Sequence, residues 1–168
     1  VGCVGLPEFT RFVIGIVLET KPTTFAELVK ISGLSHGTDV WNGNAQDLVR
    51  NGTCKFRETI GCRDDIMVYL SNNGIKPIDA FKIMELVRKG RQKKMKDKWD
   101  EYKKLLKDAN IPDWYIDSCD KIKYMFPKAH ATAYISAAWR IAWFKINRPI
   151  DDFNHLMDAM RYAVEKYI

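Results

Sequence analysis

The sequence predicts a mainly α domain of many helices, with irregular loops and little or no sheet. Three observations carry this. Apolar residues recur at helical spacing in segment after segment, and strand-like alternation is almost absent. Pro22, Gly33, Gly74, Pro77, Gly90, Pro112 and Pro149 punctuate those segments. The chain has 168 residues, of which 46% are hydrophobic, enough for a real core and unlike a disordered composition. That length fits one domain or a piece of a larger protein.

The first helix is expected over 6–20, with Phe9, Phe12, Val13, Ile16 and Val17 on one face. Thr24 and Glu27 form a capping box for the next, lined by Phe25, Leu28, Val29 and Ile31 and ended by Gly33. Ser35 to Asn44 is a loop by composition, yet it carries His36 and Trp41, which a mere connector does not need. A short helix follows over 45–50, then a turn at Asn51-Gly52 and an ambiguous stretch over 55–62. Asp64 and Asp65 are first-turn acids of a helix packed by Ile66, Met67, Tyr69 and Leu70, which stops at Asn72-Asn73-Gly74. Pro77 opens a helix to Lys89 with Ala80, Phe81, Met84 and Val87 inward. A lysine-rich helix is expected over 91–108, packed by Met95, Trp99, Tyr102, Leu105 and Leu106. Two more helices are expected, over 114–122 and 129–146, and a last one over 151–168.

The net charge is +6 and the pI about 9.1, which favours an acidic partner, nucleic acid before an anionic membrane surface. Between Lys82 and Lys107 there are 11 Lys and Arg against four acids, a local charge of +7. The other 16 cations and 17 acids nearly cancel. Cys3, Cys54, Cys62 and Cys119 form no CxxC pair and have no histidine at zinc-ligand spacing, so reduced thiols are expected. The longest apolar run is too short to span a membrane, and no signal peptide is seen, so no membrane partner and a cytoplasmic location are expected.

The stretch from Lys121 to Lys145, KIKYMFPKAHATAYISAAWRIAWFK, holds the most chemistry. Pro127 suits a helix start. Tyr134, Ala137, Ala138, Ile141 and Phe144 make an apolar stripe, while Lys128, Thr132, Ser136 and Arg140 make a polar column at steps of four. Residue pattern alone leaves two readings open: a packed helix with a solvated basic face, or a helix that meets phosphate.

Three blocks carry a resemblance: ISGLSHGTDVWNGNAQDLV at 31–49, GCRDDIMVYL with AFKIMELVRKG at 61–70 and 80–90, and WYIDSCDKIKYMFPKAHATAYISAAWRIAWFK at 114–145. In this order the chain resembles the fingers region of PolC-type, family C bacterial DNA polymerase III alpha subunits, over roughly 6–148. The resemblance implies template-directed DNA synthesis, with fingers that position template-primer DNA and the incoming deoxynucleoside triphosphate. It also implies Mg²⁺ held by carboxylates of a separate palm, two ions about 3.5–4 Å apart. No palm carboxylate motif is found here, so no catalytic or metal residue is expected, and the remainder of the polymerase is an expected partner. Such a fragment alone is not expected to polymerise DNA. Adjacent Asp64 and Asp65 would point about 100° apart on a helix, a poor metal pair.

The matching positions expected at the nucleotide are Ser35, His36, Thr38 and Asp39 of SHGTD, Arg63 of CRDD, Arg88 and Lys89 of VRKG, and Phe126, Lys128, His130 and Tyr134. Lys128 at a helix start is the best phosphate seat among them. Phe126 and Tyr134 could stack on a base or belong to the core. Lys121, Lys123 and Arg140, with Lys93, Lys94 and Lys96 of the basic helix, are expected at the DNA backbone. The basic helix is longer and richer in lysine than the family pattern. The family-like domain is read as 1–148. Residues 149–168, IDDFNHLMDAMRYAVEKYI, weakly resemble the last helix of a phage large-terminase nuclease, in which the position of Asp158 would bind metal. Two alternatives stand beside the polymerase reading: a noncatalytic basic helical DNA-binding module, and a terminase-nuclease-like fragment.

Overall fold

The structure is a computed structural model that describes residues 10–147, so the tail helix expected over 151–168 and Asp158 lie outside the described residues. Eight α-helices and no strand are found among them: α1 (Arg11–Thr20), α2 (Phe25–His36), α3 (Gln46–Arg50), α4 (Arg63–Asn72), α5 (Pro77–Arg88), α6 (Lys96–Asp108), α7 (Asp113–Lys121) and α8 (Lys128–Asn147). The mainly α expectation holds.

The caps explain most boundaries. Thr10 accepts the Val13 N–H at 3.2 Å, and Lys21 ends α1 in the left-handed region at φ 46°. The Thr24 hydroxyl accepts the Glu27 N–H at 3.3 Å, while Glu27 takes the N–H groups of Thr23 and Thr24 at 2.7 and 3.0 Å. This box joins sequence to stability directly: Thr24→Ala is expected to cost about 1 kcal/mol, read as a lowered urea midpoint with an unchanged slope.

Helix α2 does not end at Gly33 but runs to His36. Gly33 is there for close packing, since a Cβ on it would lie 2.4 Å from the Gly61 carbonyl oxygen. The following loop is also more ordered than its composition suggests. Trp41–Ala45 makes a helical turn interrupted at Asn42 and Gly43, and Trp41 is buried. The buried Asn44 amide donates to Asp39 O at 3.0 Å and Ser118 O at 3.1 Å. Within the ambiguous stretch, Phe56–Glu58 is a single 3₁₀ turn. The lysine-rich helix begins at Lys96, five residues later than the charge pattern indicates. Buried Gln92 holds that turn by donating to the carbonyls of Cys119 (2.6 Å) and Ile122 (2.9 Å).

One main core joins α1, α2 and the segments from Ile60 to Met125, with Ile66, Leu70, Ala80, Ile83, Val87, Leu106 and Tyr115 fully enclosed. Packed pairs are α4 with α5, α1 with α2, α6 with α7, and α2 with α8. Helix α8 reaches α2 through a small separate cluster of Val29, Ala131 and Ile135. Its packed face is thus Ala131, Ile135 and Ala138, whereas Tyr134 and Phe144 of the expected stripe are exposed. Phe12, Phe25, Phe81, Met95 and Leu105 are likewise exposed where helical spacing points inward. Among the described residues no helix is long and apolar enough to cross a membrane.

Candidate nucleotide and DNA interface

The site is built on the extended segment 122–127, between α7 and α8. Ile122 and Met125 bury into the core, and the intervening Lys123 and Tyr124 face outward. The backbone of this segment bonds to three separate elements. Thr38 and Tyr124 form an isolated antiparallel bridge, with Thr38 N–H on Tyr124 O at 2.9 Å and Lys123 N–H on Thr38 O at 3.1 Å. Met125 N–H donates to Arg88 O at 3.1 Å, at the end of α5. Arg63 N–H donates to Phe126 O at 3.2 Å, at the start of α4. The sequence blocks around 35–39, 63–65, 88–90 and 121–130 therefore meet at one place.

The rings gather beside that segment. Phe126 and His130 stack with centroids 4.9 Å apart and planes 24° apart. His130 lies 4.7 Å from Tyr134, and Tyr124 meets Phe126 edge-on at 5.1 Å. His36 reaches the same group from the end of α2, at 5.9 Å from Phe126 and 5.6 Å from His130. A nitrogen facing a carbonyl at 2.7 Å must donate, so His36 Nδ1 carries a proton toward Ser32 O. That fixes the ring and leaves Nε2 for another partner. Tyr124 and Tyr134 stay 42% and 38% exposed, so this ring cluster is open to solvent rather than part of the core.

The cations divide into engaged and unengaged sets. Glu85 is gripped by Arg88 through both oxygens and by Lys89 at 2.6 Å. The Arg88 hydrogen bonds, with Lys89 and in spite of partial burial, hold the Glu85 carboxyl down at about 2. Lys123 pairs with Asp39 at 2.6 Å, and Asp39 sits in the left-handed region at φ 56°. Lys121 donates to Gly43 O at 2.8 Å. Both lysines thus latch the 38–44 loop in addition to presenting charge. Ser35 Oγ donates to Ser32 O at 2.9 Å. The side chains of Arg63, Lys128 and Arg140 make no hydrogen bond or ion pair among the described residues, nor do those of Lys93, Lys94 and Lys96.

The start of α8 is not an open anion seat. Asp64 Oδ2 accepts the Lys128 N–H at 2.6 Å, so a carboxylate from α4 already caps this helix. Asp65, next to it, turns inward. Its Oδ2 takes the Gly61 N–H at 2.9 Å, the Cys62 N–H at 3.3 Å and Lys30 Nζ at 3.0 Å. The two acids are thus a cap and a buried bracket. Helical pattern alone showed them only as first-turn acids, and their long-range partners left no local signal. Among the described residues no group of three or more His, Cys, Asp or Glu is placed to hold a metal ion. Burial, then the charge of Asp65, pushes the Cys62 thiol up to about 12, which removes it as a nucleophile. Cys54, Cys62 and Cys119 are all free thiols.

The described residues form a helical domain that carries a half-exposed cluster of rings flanked by cations. By sequence the chain belongs to the bacterial DNA polymerase III alpha subunit finger domain family, whose pattern matches residues 2–110. It is 61% identical over 150 residues to the PolC-type DNA polymerase III of Bacillus subtilis, and 63% identical over 147 residues to that of Bacillus cereus. The Streptococcus agalactiae PolC-type polymerase is 60% identical over 151 residues. These matches cover 87–89% of this chain but only 10% of each relative's length.

Proposed function

We propose that this chain is the fingers part of a PolC-type replicative polymerase, and that the surface around 122–130 positions template-primer DNA and the incoming deoxynucleoside triphosphate. The observation that carries this reading is the convergence of four separated blocks on one extended segment, beside unengaged Arg63 and Lys128. In this reading Arg63 and Lys128 take triphosphate oxygens, because a guanidinium grips two oxygens and an ammonium adds a mobile charge. Arg88 and Lys89 hold the edge of the site through Glu85. Phe126, His130 and Tyr134 offer faces to a base, with His36 behind them and Ser35, Thr38 and Asp39 shaping the loop. Lys93, Lys94 and Lys96, with Lys121, Lys123 and Arg140, meet the DNA backbone.

Phosphoryl transfer demands positioning and charge neutralisation more than covalent work. The Mg²⁺ of such a reaction stabilises the attacking and leaving oxygens. Asp64 and Asp65 do not fit that role, since Asp64 is committed to the Lys128 N–H and Asp65 to the Gly61 and Cys62 N–H groups and Lys30. The metal would belong to a palm elsewhere in a whole polymerase.

The test is fluorescence anisotropy of the full chain with primed DNA across a salt series, with and without the correct deoxynucleoside triphosphate. Arg63→Ala and Lys128→Ala are each expected to weaken the nucleotide-dependent affinity about tenfold. Replacing Lys93, Lys94 and Lys96 should lower the salt slope by about one for each phosphate no longer neutralised. No binding at low salt overturns the reading. Binding that depends on Lys93, Lys94 and Lys96 but ignores nucleotide and Lys128 would make the chain a basic DNA-binding module instead.

A further inference from the structure

A second concave surface lies between the end of α5 and the start of α6. Phe81 and Met95, 46% and 37% exposed, line it together with the buried Leu86. Lys82, Arg91 and Lys98 surround it. The hollow measures about 180 Å³, below the roughly 300 Å³ and upward of small-molecule sites, so it suits a side chain rather than a cofactor. Exposed Phe and Met ringed by cations repeat the anatomy of a protein-binding hot spot, an apolar anchor inside a polar rim. Methionine adds a surface that adapts to the anchor it meets.

We propose that this groove docks an acidic peptide segment of a partner protein, one aliphatic side chain seating between Phe81 and Met95 and flanking carboxylates pairing with Lys82, Arg91 and Lys98. Charge complementarity selects the acid: the rim is cationic, and Arg91 and Lys98 have no ion pair among the described residues. The single acid in the lining, Glu85, separates a peptide from a nucleic acid. It is fixed at the wall by Arg88 and Lys89. A peptide spaces its carboxylates and can place an uncharged or apolar residue opposite Glu85. A nucleic-acid backbone carries a charge at every step and cannot skip that position. Arg91 offers a planar fork that matches a carboxylate through two bonds.

The experiment uses the full chain and a short fluorescein-labelled peptide with two leucines one helical turn apart, flanked on both sides by glutamates. Anisotropy at low salt is expected to show saturable binding that Phe81→Ala and Met95→Ala each weaken about tenfold, with the helical circular dichroism signal unchanged. Arg91→Glu with Lys98→Glu should abolish binding of this peptide and gain binding of the matching peptide with lysines in place of glutamates. Lys93→Ala with Lys94→Ala should leave peptide affinity within about twofold. Equal binding of a leucine-free glutamate peptide overturns the proposal, because charge alone then suffices. Absence of binding overturns it, and so does Phe81-dependent binding of labelled oligo-dT, which would make the groove a single-strand DNA site. DNA affinity is read separately on the same variants, so failure of the polymerase reading and failure of this groove give different patterns.

Discussion

Gly90→Ala is expected to destabilise the domain by about 3 kcal/mol, through left-handed strain and overpacking together. Gly90 has φ +60°, where an L side chain is strained. A Cβ there would stand 2.3 Å from the Lys123 carbonyl oxygen and 2.9 Å from the Lys123 Cα and carbonyl carbon. All three are backbone atoms, and the segment that holds them cannot slide away. Ile122 O accepts from buried Gln92, and Met125 N–H donates to Arg88 O. Moving Lys123 outward would break the strut that sets Tyr124, Phe126 and the start of α8. Urea unfolding should show a lower midpoint with an unchanged slope. DNA binding should lose its nucleotide dependence before it loses its salt-sensitive part, since Lys93, Lys94 and Lys96 lie outside the strut. A stability change below about 1 kcal/mol would show that the 90–123 approach is looser than the structure has it.

The same close approach shows which parts of this fold were legible in the sequence. Helices α4, α5, α7 and α8 announced themselves by period and by proline or acid at their starts, and α4 and α5 also by Asn-Gly or Gly just past their ends. Where the reading erred, a long-range partner had overridden a local signal. Gly33 looks like a helix end, yet it is a notch for the Gly61 carbonyl inside α2. Arg91 to Met95 looks like helix by charge, yet Gln92 is drawn inward to the carbonyls of Cys119 and Ile122. Exposed Phe81 and Met95 have helical core spacing, but hydrophobic residues also occupy surfaces, and period alone does not separate the two.

The sequence named candidate site residues, but not the wiring among them. Family resemblance picked out Arg63, Arg88, Lys128 and His130 from three separated segments. Nothing in their spacing showed that 122–127 would hold the blocks together by backbone bonds, because such bonds leave no mark on side-chain identity. Nor did sequence reveal that Asp64 caps α8. The N-terminus of α8 had the pattern of an anion seat, and the structure fills it with the protein's own carboxylate. A phosphate at Lys128 would therefore rely on the side-chain ammonium, with Arg63, or displace Asp64.

Asp65→Ala is expected to cost about 3 kcal/mol at neutral pH, because it strands a largely buried lysine. The Lys30 and Asp65 side chains are only 15% and 22% exposed, and their ion pair spans α2 and α4 at 3.0 Å. Burial raises the Asp65 pKa, but the Lys30 charge, the Gly61 N–H and the other hydrogen bonds outweigh it, leaving the folded value below the ordinary one. The sign follows from that direction. Stability from this group is fully present above the unfolded carboxyl value, about 3.9, and is lost as pH falls through the lower folded value. The gap between wild type and Asp65→Ala should therefore be flat near neutrality and close only on the acid side, read by urea midpoints at several pH values. A gap that narrows as pH rises from 5 to 8 would contradict this wiring. Lys30→Met combined with Asp65→Leu should recover much of the loss, since it removes the stranded charge, but not all of it. The Gly61 and Cys62 N–H groups would still lack their acceptor, and an unsatisfied buried donor costs about 1–3 kcal/mol. That residual cost falls on the loop that sets Arg63 and Asp64, so the double variant should stay folded while losing nucleotide-dependent binding. Stability and site order would then be separated at one carboxylate.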